Sequence, residues 1–161
     1  MSDLSDFKSA LVRVARGELG VRESGRNSGE RVRAYQSTTW LEPGSWPWCA
    51  AFVCWVVRVA ALRHPLPFPL PDTPRAVELA TKWAKGRTSL VKNPSLVVPG
   101  DIVVFRFDSG HHCGIVSVGS GESGMFKCVE GNTDGSGGRD GDGVYERTRK
   151  LGVQVIYAIR F

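Results

Sequence analysis

Long hydrophobic runs are missing from this sequence of 161 residues, and its first residues lack the pattern of an export leader. Arg58 and Arg63 interrupt the most apolar segment, and residues 1–6 have neither the basic region nor the apolar run of a signal peptide. A membrane-spanning helix needs about 20 consecutive apolar residues. We therefore expect no membrane insertion, and we expect synthesis in the cytoplasm without a signal peptide.

Cysteine is scarce as well. The chain has four cysteines, which are Cys49, Cys54, Cys113 and Cys128. Their uneven spacing, and the absence of Cys-x-x-Cys and His-Glu-x-x-His motifs, predict no disulfide framework, no metal site and no cofactor. The loop at 134–142 contains Asp134, Asp140 and Asp142 but lacks the glycine and glutamate positions of an EF-hand. It is predicted to be a solvated hairpin loop.

The formal net charge is +5, yet the basic residues are scattered. The sequence contains no lysine or arginine run and no alternation of basic and aromatic residues for stacking on bases. These absences predict no nucleic-acid partner. The positive charge would still attract an anionic polymer, such as a bacterial wall.

Helical patterns fill the first half of the chain and strand patterns fill the second. Helices are predicted at 6–19, at 30–36, from Cys49 to Leu62, and from a cap at Asp72 or Thr73 to Gly86, with Pro74 as the first helical residue. Strands are predicted at 101–107, 113–118, 125–130, 143–148 and 153–159. This order predicts one α+β domain over residues 1–161, with N-terminal helices packed on an antiparallel sheet of about five strands.

The central helix carries Cys49 at its entrance, just after Pro47. Free amide groups and the helix dipole favour a thiolate at that position, although a buried cysteine that merely packs is the alternative. Cys54 lies deeper and about 140° around the helix, and is interpreted as a core residue. Trp40, Trp46 and Trp48 are predicted either to wall a groove beside Cys49 or to cover the edge of the core.

The second predicted strand opens with His111 and His112, of which only one can face the central helix. Gly114 shares a face with His112 and would leave room for the helix and a substrate. His112 is therefore the candidate base for a cysteine nucleophile, and His111 joins Trp46 and Trp48 as a candidate substrate-binding residue. Glu130 and Asn132 end the third strand on one face, where the carboxylate could orient the imidazole and the amide could assist it.

Four segments together resemble a known family. In order they are PWCAAFV at 47–53, PGDIVVF at 99–105, HCGIV at 112–116 and EGNT at 130–133. Over residues 5–161 the chain resembles CHAP domains, which are peptidoglycan-cleaving cysteine amidohydrolases related to the NlpC/P60 group and common in phage endolysins. The resemblance implies a papain-like fold with Cys49 as nucleophile, His112 as base, Glu130 as the orienting acid and Asn132 as the fourth polar member.

The resemblance also implies the substrate, which would be the muramoyl–alanine amide bond or a peptide bond in the stem or cross-bridge. Some family members bind calcium just ahead of the cysteine, but residues 41–48 contain no aspartate here, so we expect no metal. A monomer is expected to act on the wall after release or delivery, with target recognition left to its basic surface. Two alternatives stay open: a non-catalytic wall-binding or structural module, and a thiol-dependent acyl or γ-glutamyl transferase.

Overall fold

The computed structural model describes residues 2–133 and 141–161, and most of the predicted loop at 134–142, including Asp134 and Asp140, lies outside them. The helices are α1 (Ser2–Gly17), α2 (Glu30–Gln36), α3 (Cys49–Ala61) and α4 (Ala76–Glu78), and α4 continues as a π-helical segment, Leu79–Ala84. The strands are β1 (Ser89–Lys92), β2 (Ile102–Phe107), β3 (Gly110–Val118), β4 (Met125–Thr133), β5 (Gly143–Lys150) and β6 (Val155–Arg160).

All strand pairs in the described residues are antiparallel, in the spatial order β1-β6-β2-β3-β4-β5. The predicted α+β class is confirmed, but the sheet has six strands and the predicted number of about five is wrong. The missed strand is β1, which pairs with β6 at the edge of the sheet. Its four residues include only two that are half-buried, so the sequence signal was weak.

The helix after the proline-rich connector begins later than predicted. Its N-cap is Arg75, so Pro74 precedes the helix and neither Asp72 nor Thr73 occupies the cap position. The Thr73 hydroxyl donates to Glu78 at 2.8 Å and accepts the amide N–H of Arg75 at 3.2 Å. Thr73 therefore stabilises the turn ahead of the helix and does not cap its first turn.

Helix α3 lies at the centre of the core because it is apolar on almost every side. It contacts α1 and α2 as well as strands β3 and β4. Nine of its 13 residues are buried: Cys49, Ala50, Ala51, Phe52, Val53, Cys54, Val56, Val57 and Ala60. Phe7 of α1 and Ile159 of β6 belong to the same core cluster, so the two ends of the described chain pack around this helix.

Gly131 in β4 allows the first turn of α3 to lie directly against the sheet. A Cβ atom at this position would lie 2.7 Å from Cβ of Phe52 and 2.7 Å from Cζ3 of Trp48. Real Cβ atoms do not approach other heavy atoms so closely, so any other residue would push the helix away. The glycine therefore sets how near Cys49 comes to the strands beside it.

The opposite face of the sheet buries a second, smaller cluster, which includes Phe105, Val116, Phe126 and Cys128. Residues alternate between the two clusters along the strands, as the period of two requires. No helix within the described ranges is long and apolar enough to cross a membrane.

Candidate active site

Cys49 is the first residue of α3 and only 5% of its surface is exposed. Its pKa lies well below the ordinary thiol value, and the largest cause is a hydrogen bond from the Cys113 thiol. Burial opposes this shift, while the hydrogen bond and charge of His112 and the backbone amide of Ala50 support it. The entrance of α3 therefore holds a sulfur that favours the thiolate.

Cys54 behaves differently although it lies on the same helix. Burial raises the pKa of its thiol to about 12, and its Sγ donates to the carbonyl oxygen of Thr73 at 3.5 Å. A neutral thiol packed in this way acts as a small hydrophobic side chain. The two cysteines of α3 therefore differ because Cys49 has polar neighbours that stabilise negative charge.

His112 is fully buried, and its Nε2 lies 2.9 Å from Oε2 of Glu130. Its Nδ1 has no hydrogen-bond partner within residues 2–133 and 141–161. Burial alone would lower the pKa of the ring, but the neighbouring Cys49 sulfur and Glu130 carboxylate outweigh it and raise the pKa to about 9. The ring is thus held on one side by a carboxylate and interacts with the Cys49 sulfur.

Arg149 of β5 holds the Glu130 carboxylate from the other side. Its Nε donates to Oε1 at 2.8 Å and its Nη2 to Oε2 at 2.6 Å, which is the two-pronged geometry that arginine offers a carboxylate. Burial would raise the pKa of Glu130, but Arg149 and His112 together lower it. Glu130 therefore stays ionised although none of its surface is exposed.

Arg149 and Cys113 were both missed from the sequence. The strand prediction at 143–148 ended one residue before Arg149, and nothing in the local pattern linked position 149 to position 130. The register of β4 and β5 places Arg149 opposite Phe126, four positions from Glu130, and the long side chain spans that offset. The signal available in the sequence was a basic residue at the end of the strand that follows the one carrying Glu130.

The reason given for choosing His112 is wrong, although the structure does bring this residue beside Cys49. Cys113 and Ile115 lie in the core cluster under α3, so alternation turns His112 and Gly114 toward the opposite face. A Cβ at Gly114 would lie 2.6 Å from Cγ of Glu130. Gly114 therefore makes room for the acid on the neighbouring strand, and not for the helix.

Cys49 interacts with both His112 and Cys113, which are neighbours in the sequence with opposite orientations. The pairing of β3 with β4 runs from Ile115 opposite Val129 to Val118 opposite Lys127, so it stops before the segment that carries these two residues. The entrance of α3 lies at this end of β3, which pairs with β2 but not with β4. The site therefore depends on where two strands separate, which alternation alone does not reveal.

Asn132 lies within the register shift between Glu130 and Thr133. Its backbone is in the left-handed region at φ 55°. The simple alternation on which the prediction of a shared face with Glu130 was based therefore does not apply here. The side chain is fully buried, and neither Oδ1 nor Nδ2 has a hydrogen-bond partner in the described part of the chain. A buried amide without a partner is costly and indicates a missing partner.

A groove of about 510 Å³ opens beside Cys49. Its lining includes Trp40, Trp46 and His111, which is consistent with the groove predicted around them. Trp48 is different and its predicted place in the groove wall is wrong. None of its surface is exposed, because it stacks on Tyr35 at 5.5 Å between ring centres and donates its Nε1–H to Glu23 at 2.7 Å.

No group of three or more His, Cys, Asp or Glu side chains in residues 2–133 and 141–161 is arranged to hold a metal ion. The chemistry available from the described residues is that of a thiolate beside an imidazolium, with a buried carboxylate behind the ring. Such a set can attack a carbonyl carbon and protonate a leaving group.

The fold and this site together define an α+β protein with a cysteine, a histidine and an acid at the entrance of its central helix. The family model for the CHAP domain matches residues 41–132. The chain belongs to the CHAP domain family, whose members are peptidoglycan hydrolases and amidases. The match spans Cys49, His112, Glu130 and Asn132.

A search of solved structures finds a similar chain described as the crystal structure of Ly7917. The TM-score is 0.56 and the sequences are 14% identical, so the similarity shows the fold alone. The match covers 95% of this chain and 61% of that chain. Among curated proteins no sequence matches this chain.

Proposed function

We propose that this CHAP domain is a cysteine-dependent peptidoglycan hydrolase that cleaves an amide bond. The bond is either the N-acetylmuramoyl–L-alanine amide or a peptide bond of the stem or cross-bridge. The observation that supports this most is the buried His112, which contacts Glu130 through Nε2, interacts with Cys49, and has no hydrogen-bond partner on Nδ1 within the described ranges. This arrangement fits proton transfer at one defined ring atom.

In the first step the Cys49 thiolate attacks the scissile carbonyl carbon and forms a bond between sulfur and carbon. The C–N bond then breaks, and His112 gives the proton on Nδ1 to the leaving amine. Glu130, held by Arg149, stabilises the imidazolium and fixes the ring plane before the transfer. The product of this step is a thioester on Cys49 and a free amine.

In the second step His112, now neutral, removes a proton from water. The resulting hydroxide attacks the thioester carbon, the C–S bond breaks, and a carboxylic acid leaves while the thiolate and imidazolium are restored. The unpaired amide of Asn132 is assigned to this stage and the first one, as an accessory group near the ring or the developing oxyanion. Trp46 and His111, which line the groove, are assigned to substrate contact.

The proposed catalytic unit is a single domain, because α1 and β6 share the core cluster with α3. We further propose that it works as a monomer, on the wall, after release or delivery. The net charge of +5 would favour its approach to anionic wall polymers.

The test is to incubate the purified protein with bacterial sacculi and to identify the new termini by mass spectrometry. Free amino groups on alanine with intact glycan strands indicate an amidase, whereas new termini inside the peptide indicate an endopeptidase. Cys49→Ala should release nothing, and Cys54→Ala, on the same helix, should cleave like the parent. If Cys49→Ala leaves product release unchanged, the chain is not a cysteine hydrolase.

Two alternatives predict other results in the same experiment. A wall-binding module would sediment with sacculi without producing new termini, in the parent and in both variants. A transferase would join the acyl group to an added amine, such as glycine methyl ester, faster than water hydrolyses the thioester. Counting new carboxyl groups against amide products distinguishes these outcomes.

A further inference from the structure

The groove beside Cys49 is mostly apolar, but its lining includes one arginine. This residue is Arg75, which lines the groove together with Pro74 in the turn that precedes α4. Tryptophan and proline side chains form much of the remaining lining, and no carboxylate is among the described lining residues. A ligand in the groove would therefore meet Arg75 beside largely apolar surfaces.

Glu78 does not fully neutralise Arg75. The Glu78 carboxylate accepts from Lys82 at 2.7 Å and from the Thr73 hydroxyl at 2.8 Å, whereas its contact with Arg75 is longer, at 3.3 Å. One carboxylate is thus shared between two cations, so Glu78 does not balance the charges of both Arg75 and Lys82. The Arg75 side chain is 65% exposed, so its guanidinium is accessible.

Trp40 restricts where that guanidinium can lie. The centre of the Arg75 guanidinium is 5.8 Å from the centre of the Trp40 ring, within the range of a cation–π contact. Trp40 itself is 55% exposed and lines the same groove as Cys49. The ring holds the arginine at the groove, so that less side-chain entropy is lost when an anion binds.

We propose that Arg75 binds a carboxylate of the wall peptide, so that the enzyme prefers substrates with a free carboxylate over their carboxamide forms. The inference rests on the proposed function, because the groove is the place where that substrate would lie. A carboxylate fits since arginine presents two parallel N–H groups that match its two oxygens, and a carboxamide presents only one acceptor oxygen. Arg75 is therefore proposed to determine substrate specificity, without taking part in bond breaking.

The experiment measures kcat and KM on three synthetic muramoyl tetrapeptides. The first has free carboxylates at the second residue and at the C terminus, and each of the other two has one of these carboxylates converted to a carboxamide. We expect the parent to prefer the free acid to one of the amides by about tenfold in kcat/KM, mainly through KM. The carboxamide with the lower kcat/KM identifies which carboxylate binds Arg75.

The variant Arg75→Gln should raise KM for the free acid by about tenfold. It should leave KM almost unchanged for the carboxamide that the parent cleaves less efficiently than the free acid. Unchanged turnover of the amide would also show that the variant is folded. Arg63→Gln is the matched control, because Arg63 is an exposed arginine at the end of α3 that does not line the groove. It should leave the preference unchanged.

The outcomes separate this inference from the proposed function. Arg75 does not recognise a carboxylate if the parent cleaves sacculi but has equal kcat/KM on the acid and both amides, or if Arg75→Gln loses activity equally on all three. In either case the hydrolase proposal stands. If the parent cleaves neither sacculi nor any tetrapeptide, both proposals are wrong.

Discussion

Two carboxylates, Glu130 and Asp101, are fully buried in this fold, and their hydrogen-bond environments are almost alike. Each accepts a two-pronged contact from an arginine: Glu130 from Arg149 at 2.8 and 2.6 Å, and Asp101 from Arg160 at 3.0 and 2.7 Å. Each also accepts one further hydrogen bond. These shared contacts offset the cost of burying a carboxylate at each of the two positions.

The third hydrogen bond makes the difference. Asp101 accepts the backbone N–H of Val98 at 3.0 Å and so closes the turn before β2. Glu130 instead faces the ring of His112 at 2.9 Å, and that ring interacts with Cys49. A backbone amide does not titrate, whereas an imidazole does. An arginine–carboxylate pair is therefore not itself a sign of function, and the group on its other side decides whether it supports a turn or a reactive site.

The largest expected effect comes from removing what distinguishes the Glu130 region. Cys49→Ala and His112→Ala should each lower kcat on sacculi by roughly 10⁴- to 10⁶-fold, because nucleophile and base act as one unit. Release of soluble fragments with time measures this. His111→Ala is the neighbouring control and should keep most of the activity. The reverse result for the two histidines would show that the base has been misassigned.

The two acids should respond differently to loss of charge. Glu130→Gln should lower kcat on the order of 10³-fold, because the imidazolium loses the carboxylate that orients and stabilises it. Asp101→Asn should lower the free energy of unfolding by about 2–3 kcal/mol, because Arg160 loses its ion-pair partner, while the folded fraction keeps near-parental kcat.

Urea unfolding and kcat measured on the same preparations compare these two variants. Equal losses of activity with equal losses of stability would mean that both acids serve only the fold. A loss of activity in Glu130→Gln far larger than in Asp101→Asn, at similar losses of unfolding free energy, would establish the contrast.

The pH dependence should also separate the two regions. The folded pKa of His112 is raised to about 9 from an ordinary value of 6.5, so its protonated form contributes stability that is fully present below pH 6.5 and is lost as the pH rises through about 9. Activity should fall over the same upper range, because the leaving amine then has no proton donor. Asp101 has no such partner.

Unfolding free energies and kcat between pH 6 and 10 give the measurement. In Glu130→Gln the fall in stability and activity at high pH should begin at a lower pH, because one of the two groups that raise the His112 pKa has been removed. In Asp101→Asn it should stay where it is in the parent. A decrease that shifts equally in both variants would contradict the comparison.

The smallest expected effect sharpens the description of the Cys49 side. Cys113→Val removes the hydrogen bond that contributes most to the low pKa of Cys49. Iodoacetamide labelling of Cys49 at pH 6 should then slow by about tenfold, because less thiolate is present, and the parent rate should return at higher pH. Cys54, whose pKa is about 12, serves as the internal control and should stay unlabelled throughout.

Several parts of the fold and site were accessible from sequence because their signals are local. Helix α2 occurs over the predicted residues, Glu30–Gln36, and α3 begins at Cys49 as the proline two residues earlier indicated. The pairing of His112 with Glu130 also followed from adjacent strands. The prediction that Trp48 lines the groove was wrong for the opposite reason. Its burial depends on Tyr35, Glu23 and Gly131, which no local pattern connects to it.

By itself the sequence determined the α+β class, the position of Cys49 at the entrance of an apolar helix, and the histidine and acid that accompany it. These properties follow from periodicity, helix-end chemistry and short motifs, all of which act over a few residues. Only the tertiary structure decided that the pairing of β3 with β4 stops beside that helix, that Cys113 lies close enough to Cys49 to lower its pKa, and that Arg149 holds Glu130. These contacts join residues far apart in the chain, and their geometry depends on how the strands and helices pack.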